Sequence, residues 1–170
     1  MKRDRETALP ADVEFVHATC VAIDGRGVLL RGPSGSGKSD LALRLIQTPP
    51  PVGGAPAKLV SDDQVGLTLR HDVLWAQPAP NLAGKIEVRG LGIINMEHSS
   101  EVPVHLVVDA TDREDVPRMP EPDQVVGLCG CRVPVVALAF LEASAPIKVR
   151  LMLASVSEPG GIIHNGDAID

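Results

Sequence analysis

The chain has 170 residues, of which 44% are hydrophobic and only 2% aromatic, and its formal net charge is −6. That length suits one domain with an ordinary core, built here from Val, Leu, Ile and Ala, and the acidic balance argues against a general binder of nucleic acid or membrane surfaces. The N-terminal Met1-Lys-Arg-Asp-Arg-Glu6 has no apolar signal region and no apolar run reaches membrane-spanning length, so a cytoplasmic protein is expected. Cys20, Cys129 and Cys131 do not make a disulfide framework in such a chain. Cys129-Gly-Cys131 is not followed closely by the further Cys or His that zinc would need, and all three read as small buried residues.

Residues 1–11 read as a polar, flexible lead-in. Val13 to Ile23 is rich in β-formers, and Asp24-Gly-Arg-Gly27 is a turn that returns it as a hairpin into the strand Val28 to Arg31. Gly32, Pro33, Ser34, Gly35, Ser36, Gly37, Lys38 and Ser39 follow, matching the phosphate-binding pattern G-x-x-x-x-G-K-[ST] at every fixed position. Glycines there let the backbone turn tightly and present several N–H groups to phosphate oxygens. Lys38 is placed to reach the β- and γ-phosphates, and the Ser39 hydroxyl to ligate Mg²⁺. Asp40-Leu-Ala-Leu-Arg-Leu-Ile46 then has apolar residues at helical spacing, so the loop opens a helix whose dipole favours anions. Strand, loop and helix together imply nucleoside triphosphate binding.

The helix is expected to end near Gln47, before Thr48-Pro-Pro-Pro51, and residues 48–56 read as a Pro/Gly-rich surface loop. Lys58 to Ser61 is a short strand delivering Asp62 and Asp63. Val65–Arg70 and Val73–Ala76 make a hairpin around His71-Asp72, and residues 77–84 are loop. Lys85–Arg89 is a strand leading to Gly90-Leu-Gly92, and Val102–Ala110 is a buried strand. Thr111–Pro122 is charged, Pro-broken and exposed. Val125–Leu138 supplies one or two strands, Ala143–Val156 a closing helix, and residues 157–170 a flexible tail. The fold class expected is α/β, strand-rich with few helices, in a single domain over 1–170.

Asp62-Asp63 sits where a phosphate-loop enzyme keeps its metal-holding or base carboxylate, although two acids at a strand end also fit a solvated turn. Glu87 and Arg89 share one strand face, since side chains alternate with period two. Paired there, one can bind metal and the other neutralise phosphate, or the two can form a surface ion pair before a turn.

These residues carry a resemblance to a known family, HPr kinase/phosphorylase, which phosphorylates a serine of HPr, the phosphocarrier protein of the sugar phosphotransferase system. It runs from about His17 to Arg118. It rests on His17 before the strand–Asp24-Gly–strand unit, on Gly32–Ser39, on Leu59-Val-Ser-Asp-Asp63, and above all on Ile86-Glu-Val-Arg-Gly-Leu-Gly-Ile-Ile-Asn95. The resemblance implies a P-loop kinase domain of the HPr kinase and phosphoenolpyruvate carboxykinase-like type, in the short form with only the catalytic domain. It implies Asp62 as the base accepting the serine proton, Ser39 and Glu87 as Mg²⁺ positions with Asp63 a supporting acid, and Lys38, His17, Arg89 and Arg118 as active-site residues. ATP and Mg²⁺ are the implied cofactors, HPr the implied partner, and a homo-oligomer, in the family a hexamer, the implied assembly.

Two departures stand out. The segment Gln47–Ala57 is longer than the family's turn. The arginine-rich P-V-R-P-G-R-N loop tied to dephosphorylation is replaced by Phe140-Leu-Glu-Ala-Ser-Ala-Pro146, followed by Lys148 and Arg150. Kinase activity is therefore expected to exceed phosphorylase activity, with any residual phosphorylase resting on Lys148 or Arg150. A P-loop kinase for a small metabolite hydroxyl, and a non-catalytic ATP-sensing interaction module, are the alternative readings.

Overall fold

The run of β-formers from Val13 does not stay in one strand. In the computed structural model, which describes residues 12–157, 159 and 161–162, it breaks at Ala18 into β1 (Glu14–His17) and β2 (Thr19–Ile23). The Ala18 amide donates to the Asp63 carbonyl at 3.2 Å, and from there the two strands part. β2 turns through Asp24-Gly25, both at positive φ, into β3 (Arg26–Arg31), the two-residue hairpin that an Asp-Gly pair favours. β1 instead crosses to pair antiparallel with β5 (Gln64–Arg70).

Helix α1 (Lys38–Gln47) starts at the phosphate loop, and Leu41, Ala42 and Leu45 recur at the spacing that turns one face onto the sheet. Its last turn closes with the Thr48 amide on the Arg44 carbonyl at 2.8 Å, just before the prolines. β4 (Lys58–Ser61) leads into β5, and β5 returns as β6 (Val73–Pro78) through His71-Asp72, again both at positive φ. The stretch expected to be a strand followed by a glycine turn is a two-stranded hairpin of its own. β7 (Lys85–Val88) pairs antiparallel with β8 (Gly92–Asn95), whose return strand the glycines had concealed.

β9 (Val102–Ala110) is the shared spine. It runs parallel to β3 on one side and parallel to β11 (Cys131–Leu138) on the other, giving the order β4-β2-β3-β9-β11 around the phosphate-loop strand. Its first residues also pair antiparallel with β6. A bulge lets it serve both faces. Gly27 pairs with Val104 but Val28 with Leu106, so His105 is an extra residue and the inward parity changes there. Val102 and Val104 pack with Cys20, Val60, Leu67 and Leu74, whereas Leu106 and Val108 pack with Leu30, Leu41, Leu45 and Phe140 under the helices. Gly27 is required at that point, because a Cβ there would lie 2.7 Å from the Pro103 carbonyl oxygen.

β10 (Val125–Leu128) forms a hairpin with β11, and α2 (Ala145–Ser155) covers the α1 side of the sheet with Ala145, Val149 and Leu153. Within the stretch expected to be a flexible tail, β12 (Gly161–Ile162) pairs with both β11 and β6. Residues 1–11 and 163–170, expected to be flexible, lie outside the described residues. Cys20 and Cys131 are buried and Cys129 is half-buried, all three as free thiols. Burial, with Glu14 beside it, pushes the Cys129 thiol up to about 12. Among the described residues no helix is long and apolar enough to cross a membrane.

Candidate active site

Three adjacent strand ends bring the chemistry together. β3 ends at the phosphate loop, β2 begins beside it with Thr19, and β4 delivers Asp62 on the far side of β2. The cleft they form, about 380 Å³, is lined by His17, Ser34, Gly35, Gly37, Lys38, Ser39, Asp40, Asp62, Asp63, Glu87, Arg89 and Leu141.

Two glycines in the left-handed region shape the loop. Gly35 and Gly37 take φ of 80° and 95°, a region that L side chains rarely enter, and a Cβ on Gly37 would also meet Leu141 at 2.8 Å. Lys38 is only 7% exposed, and its ammonium donates to the carbonyls of Gly32 and Pro33 at 2.8 and 3.0 Å. Burial lowers its pKa below the ordinary lysine value, and the charges of Asp62 and Asp63 act against that fall. The Ser36 hydroxyl is buried in the loop with no hydrogen-bond partner. It packs over Gly32, where a Cβ would lie 2.6 Å from it, so glycine is needed at that end of the loop.

Asp62 is 5% exposed and is held from three elements. Thr19 Oγ1 donates to its Oδ1 at 2.7 Å, and Ser39 Oγ donates to Oδ1 and Oδ2 at 2.8 and 3.0 Å. The Glu87 backbone N–H donates to Oδ2 at 3.1 Å. The turn after it separates the paired acids. The Gln64 amide bonds back to the Asp62 carbonyl at 2.8 Å, with Asp63 between them at φ 67°, a three-residue turn of the rare, strained kind. Asp62 therefore points inward, while Asp63 stands exposed with its Oδ1 3.3 Å from His17 Nδ1.

The cleft thus gathers Asp62, Lys38, His17, Arg89, Asp63, Glu87 and most of the loop residues picked out from the sequence. Arg118 is elsewhere. It lines a neighbouring cavity of about 620 Å³ with Arg113, Glu142, Lys148 and Met152, behind the turn that carries Leu141. Lys148 and Arg150, expected as substitute cations, are also turned away. Lys148 pairs with Glu142, and Arg150 donates to the Leu45 carbonyl at 3.2 Å. Sequence reasoning missed Thr19, which in a run of β-formers looks like one more strand residue. It also missed Leu141, placed on the cleft because Arg44 of α1 donates to the carbonyls of Phe140 and Glu142.

The donors facing the cleft suit a hard divalent cation. Ser39, Asp62 and Glu87 offer oxygen only, the set that Mg²⁺ prefers. Among the described residues no three His, Cys, Asp or Glu side chains form a ready-made cage. An ion would thus be shared with ligand oxygens, as Mg²⁺ commonly is. The charges also call for one. Four carboxylates (Asp40, Asp62, Asp63, Glu87) line the cleft against the permanent cations Lys38 and Arg89, so a polyphosphate needs added positive charge.

Comparison with known proteins agrees with this geometry. The family model described as HPr Serine kinase C-terminal domain matches residues 9–143. HPr kinase/phosphorylase from Streptococcus thermophilus is 31% identical over 135 residues, covering 73% of this chain and 41% of that protein. The same-named protein from Streptococcus uberis is 29% identical over 168 residues, 92% of this chain and 50% of its own length. The chain thus spans half or less of the length of these relatives. A solved structure titled as the Hpr(Ser) kinase/phosphatase from Coxiella burnetii superposes with a TM-score of 0.69 at 25% identity, over 83% of this chain and 88% of that one. The fold is accordingly a strand-rich α/β fold of P-loop kinase type, and the chain belongs to the HPr serine kinase C-terminal domain family.

Proposed function

We propose that this chain is the catalytic domain of an ATP- and Mg²⁺-dependent protein serine kinase whose acceptor is a seryl hydroxyl of HPr. The observation that carries the reading is the position of Asp62. It is a buried carboxylate on the wall of the cleft, hydrogen-bonded to the phosphate-loop Ser39.

The loop amides and Lys38 would hold the β- and γ-phosphates, and Ser39 and Glu87 would hold Mg²⁺, with Asp63 as a supporting acid. The ion, when bound, offsets charge on the phosphates. The acceptor serine Oγ attacks the γ-phosphorus in line as the bond to the β-phosphate oxygen breaks. The hydroxyl proton passes to Asp62, leaving ADP and phosphoserine. Arg89, which lines the cleft, would stabilise the transferring group. His17, beside Asp63, orients that acid at the rim.

A protein acceptor is favoured over a metabolite by what surrounds the cleft. The hairpin presenting Glu87 and Arg89 also exposes Leu91 and Ile93 to 74% and 68%, and Leu141 on the cleft wall is 72% exposed. Large apolar side chains left in water around a reaction site suit a docking partner. Incubating the purified chain with labelled ATP, Mg²⁺ and HPr should label one serine of HPr. Label reaching only small hydroxyl compounds would support the metabolite kinase instead, and ATP binding without any transfer would support the sensing module.

A further inference from the structure

Thr19 is the one hydroxyl in an otherwise apolar buried strand, Thr-Cys-Val-Ala-Ile, and it is 0% exposed. A buried hydroxyl must find a partner, and its partner is Asp62 Oδ1 at 2.7 Å. Its place in the sheet fixes that contact. β2 lies between the phosphate-loop strand and the Asp62 strand; Thr19 is in register with Leu30, two residues before the loop, and Cys20 with Ser61, the residue before Asp62. We propose that Thr19 is a positioning residue for phosphoryl transfer, fixing the plane of the Asp62 carboxylate so that the lone pairs Ser39 holds face the acceptor hydroxyl once Ser39 turns to its metal position.

The distribution of donors over the two oxygens carries the inference. Ser39 Oγ spans both oxygens, but as the metal-position hydroxyl of the loop it has a competing task. The other two donors have none. Thr19 holds Oδ1 from β2 and the Glu87 amide holds Oδ2 from β7. One donor on each oxygen, from two different strands, fixes the torsion of a carboxylate, whereas one donor alone leaves it free to turn. Thr is suited to this, because branching at Cβ restricts its χ1 in a strand. A base that must meet a hydroxyl within hydrogen-bond reach depends on such orientation.

The inference rests on Asp62 acting as the base, so the experiment separates the two. Thr19→Val keeps shape and removes the donor. It should lower kcat for HPr phosphorylation by about 10- to 100-fold, the worth of a hydrogen bond to a charged group, while KM for ATP stays at the wild-type value. Thr19→Ser should recover much of the rate and Thr19→Ala should not, a pair that differs only by the hydroxyl. In an Asp62→Asn background Thr19→Val should add little, because residues acting as one unit are non-additive. Should Thr19→Val fail to fold, the Ser–Ala pair decides. Wild-type kcat in Thr19→Ala or Thr19→Val alongside an inactive Asp62→Asn overturns the role of Thr19 alone. Equal loss in the Ser and Ala variants overturns it too. Wild-type activity in Asp62→Asn overturns the base assignment, and this inference with it.

Discussion

Two neighbouring cavities, divided by the turn Phe140–Glu142, handle charge in opposite ways. In the cleft, carboxylates outnumber cations, and Asp62 is held by a hydroxyl pair and a backbone amide rather than by a cation. Behind the turn, Arg113 and Lys148 converge on Glu142, whose side chain is only 20% exposed, and both are occupied by it. Among the described residues the second cavity is cation-rich, with Arg113, Arg118 and Lys148 around the single carboxylate of Glu142. A site for phosphoryl chemistry is thus marked here less by its concentration of cations than by a glycine-shaped loop and a buried carboxylate held by neutral donors.

The comparison breaks most sharply at Lys38. Lys38→Ala should abolish HPr phosphorylation, since among the described residues no other lysine lines the cleft, while thermal unfolding stays cooperative. Turnover near the wild-type rate would remove the phosphate loop from the mechanism. Next in size is Asp62→Asn, which should keep ATP binding but lose roughly 10²- to 10⁴-fold in kcat, the usual worth of a positioned general base. Nucleotide affinity measured beside the rate distinguishes a lost base from a collapsed loop.

Glu87→Ala should act through the metal rather than the proton. Its carboxylate is an oxygen donor facing the cleft, while its backbone amide, which the substitution leaves in place, still holds Asp62. The Mg²⁺ concentration for half-maximal rate should rise and the rate at saturating Mg²⁺ fall much less. An unchanged titration curve would take Glu87 off the list of ligands.

How much of this was legible in the sequence depends on whether a feature is local. The phosphate loop, α1 and the apolar strand β9 announce themselves through glycine spacing, helical periodicity and an unbroken apolar run. Asp62 was legible because a strand end beside such a loop is a place for chemistry. What stayed hidden is set by pairing between distant strands. The break at Ala18 depends on the Asp63 carbonyl, and the face change in β9 on an extra residue opposite Gly27. The role of Thr19 depends on a carboxylate 43 residues away. Lys148 and Arg150 lie on the closing helix, near the replaced loop in sequence but away from the cleft in space. Glu142 and the Leu45 carbonyl claim them first.

Their engagement there bears on the balance of forward and reverse reactions. Phosphorolysis brings phosphoserine and free phosphate into one site, and their repulsion needs guanidinium or ammonium groups facing both. With Lys148 and Arg150 engaged elsewhere, Arg89 and Lys38 are the permanent cations lining the cleft. The forward rate should therefore exceed the rate of pyrophosphate release from phosphoseryl-HPr and phosphate. Replacing Lys148 and Arg150 together by Ala should leave that reverse rate where it was. A further fall would show that one of them reaches the substrate after all.

The smallest expected effect tests the ion pairs of the second cavity. The hydrogen bond from Lys148 holds the Glu142 carboxyl below the usual carboxylate range; desolvation opposes this, and the charges of Lys148 and Arg113 add to it. A carboxylate whose pKa is lower folded than unfolded stabilises the fold above the unfolded value, and that contribution fades as pH falls through the folded one. Glu142→Gln keeps the size of the side chain and removes the charge. It should melt slightly below the wild type at neutral pH, and the gap should close on acidification past the ordinary glutamate value of 4.5. High salt should narrow the gap as well, because the partners are partly exposed and screened. The kinase rate should stay as it was, since Glu142 faces the second cavity and Arg44 anchors the turn through backbone carbonyls that the substitution does not touch. A gap independent of both pH and salt would mean that packing, not charge, holds Glu142 in place. A loss of kinase rate would mean that the wall between the two cavities is part of the reaction site.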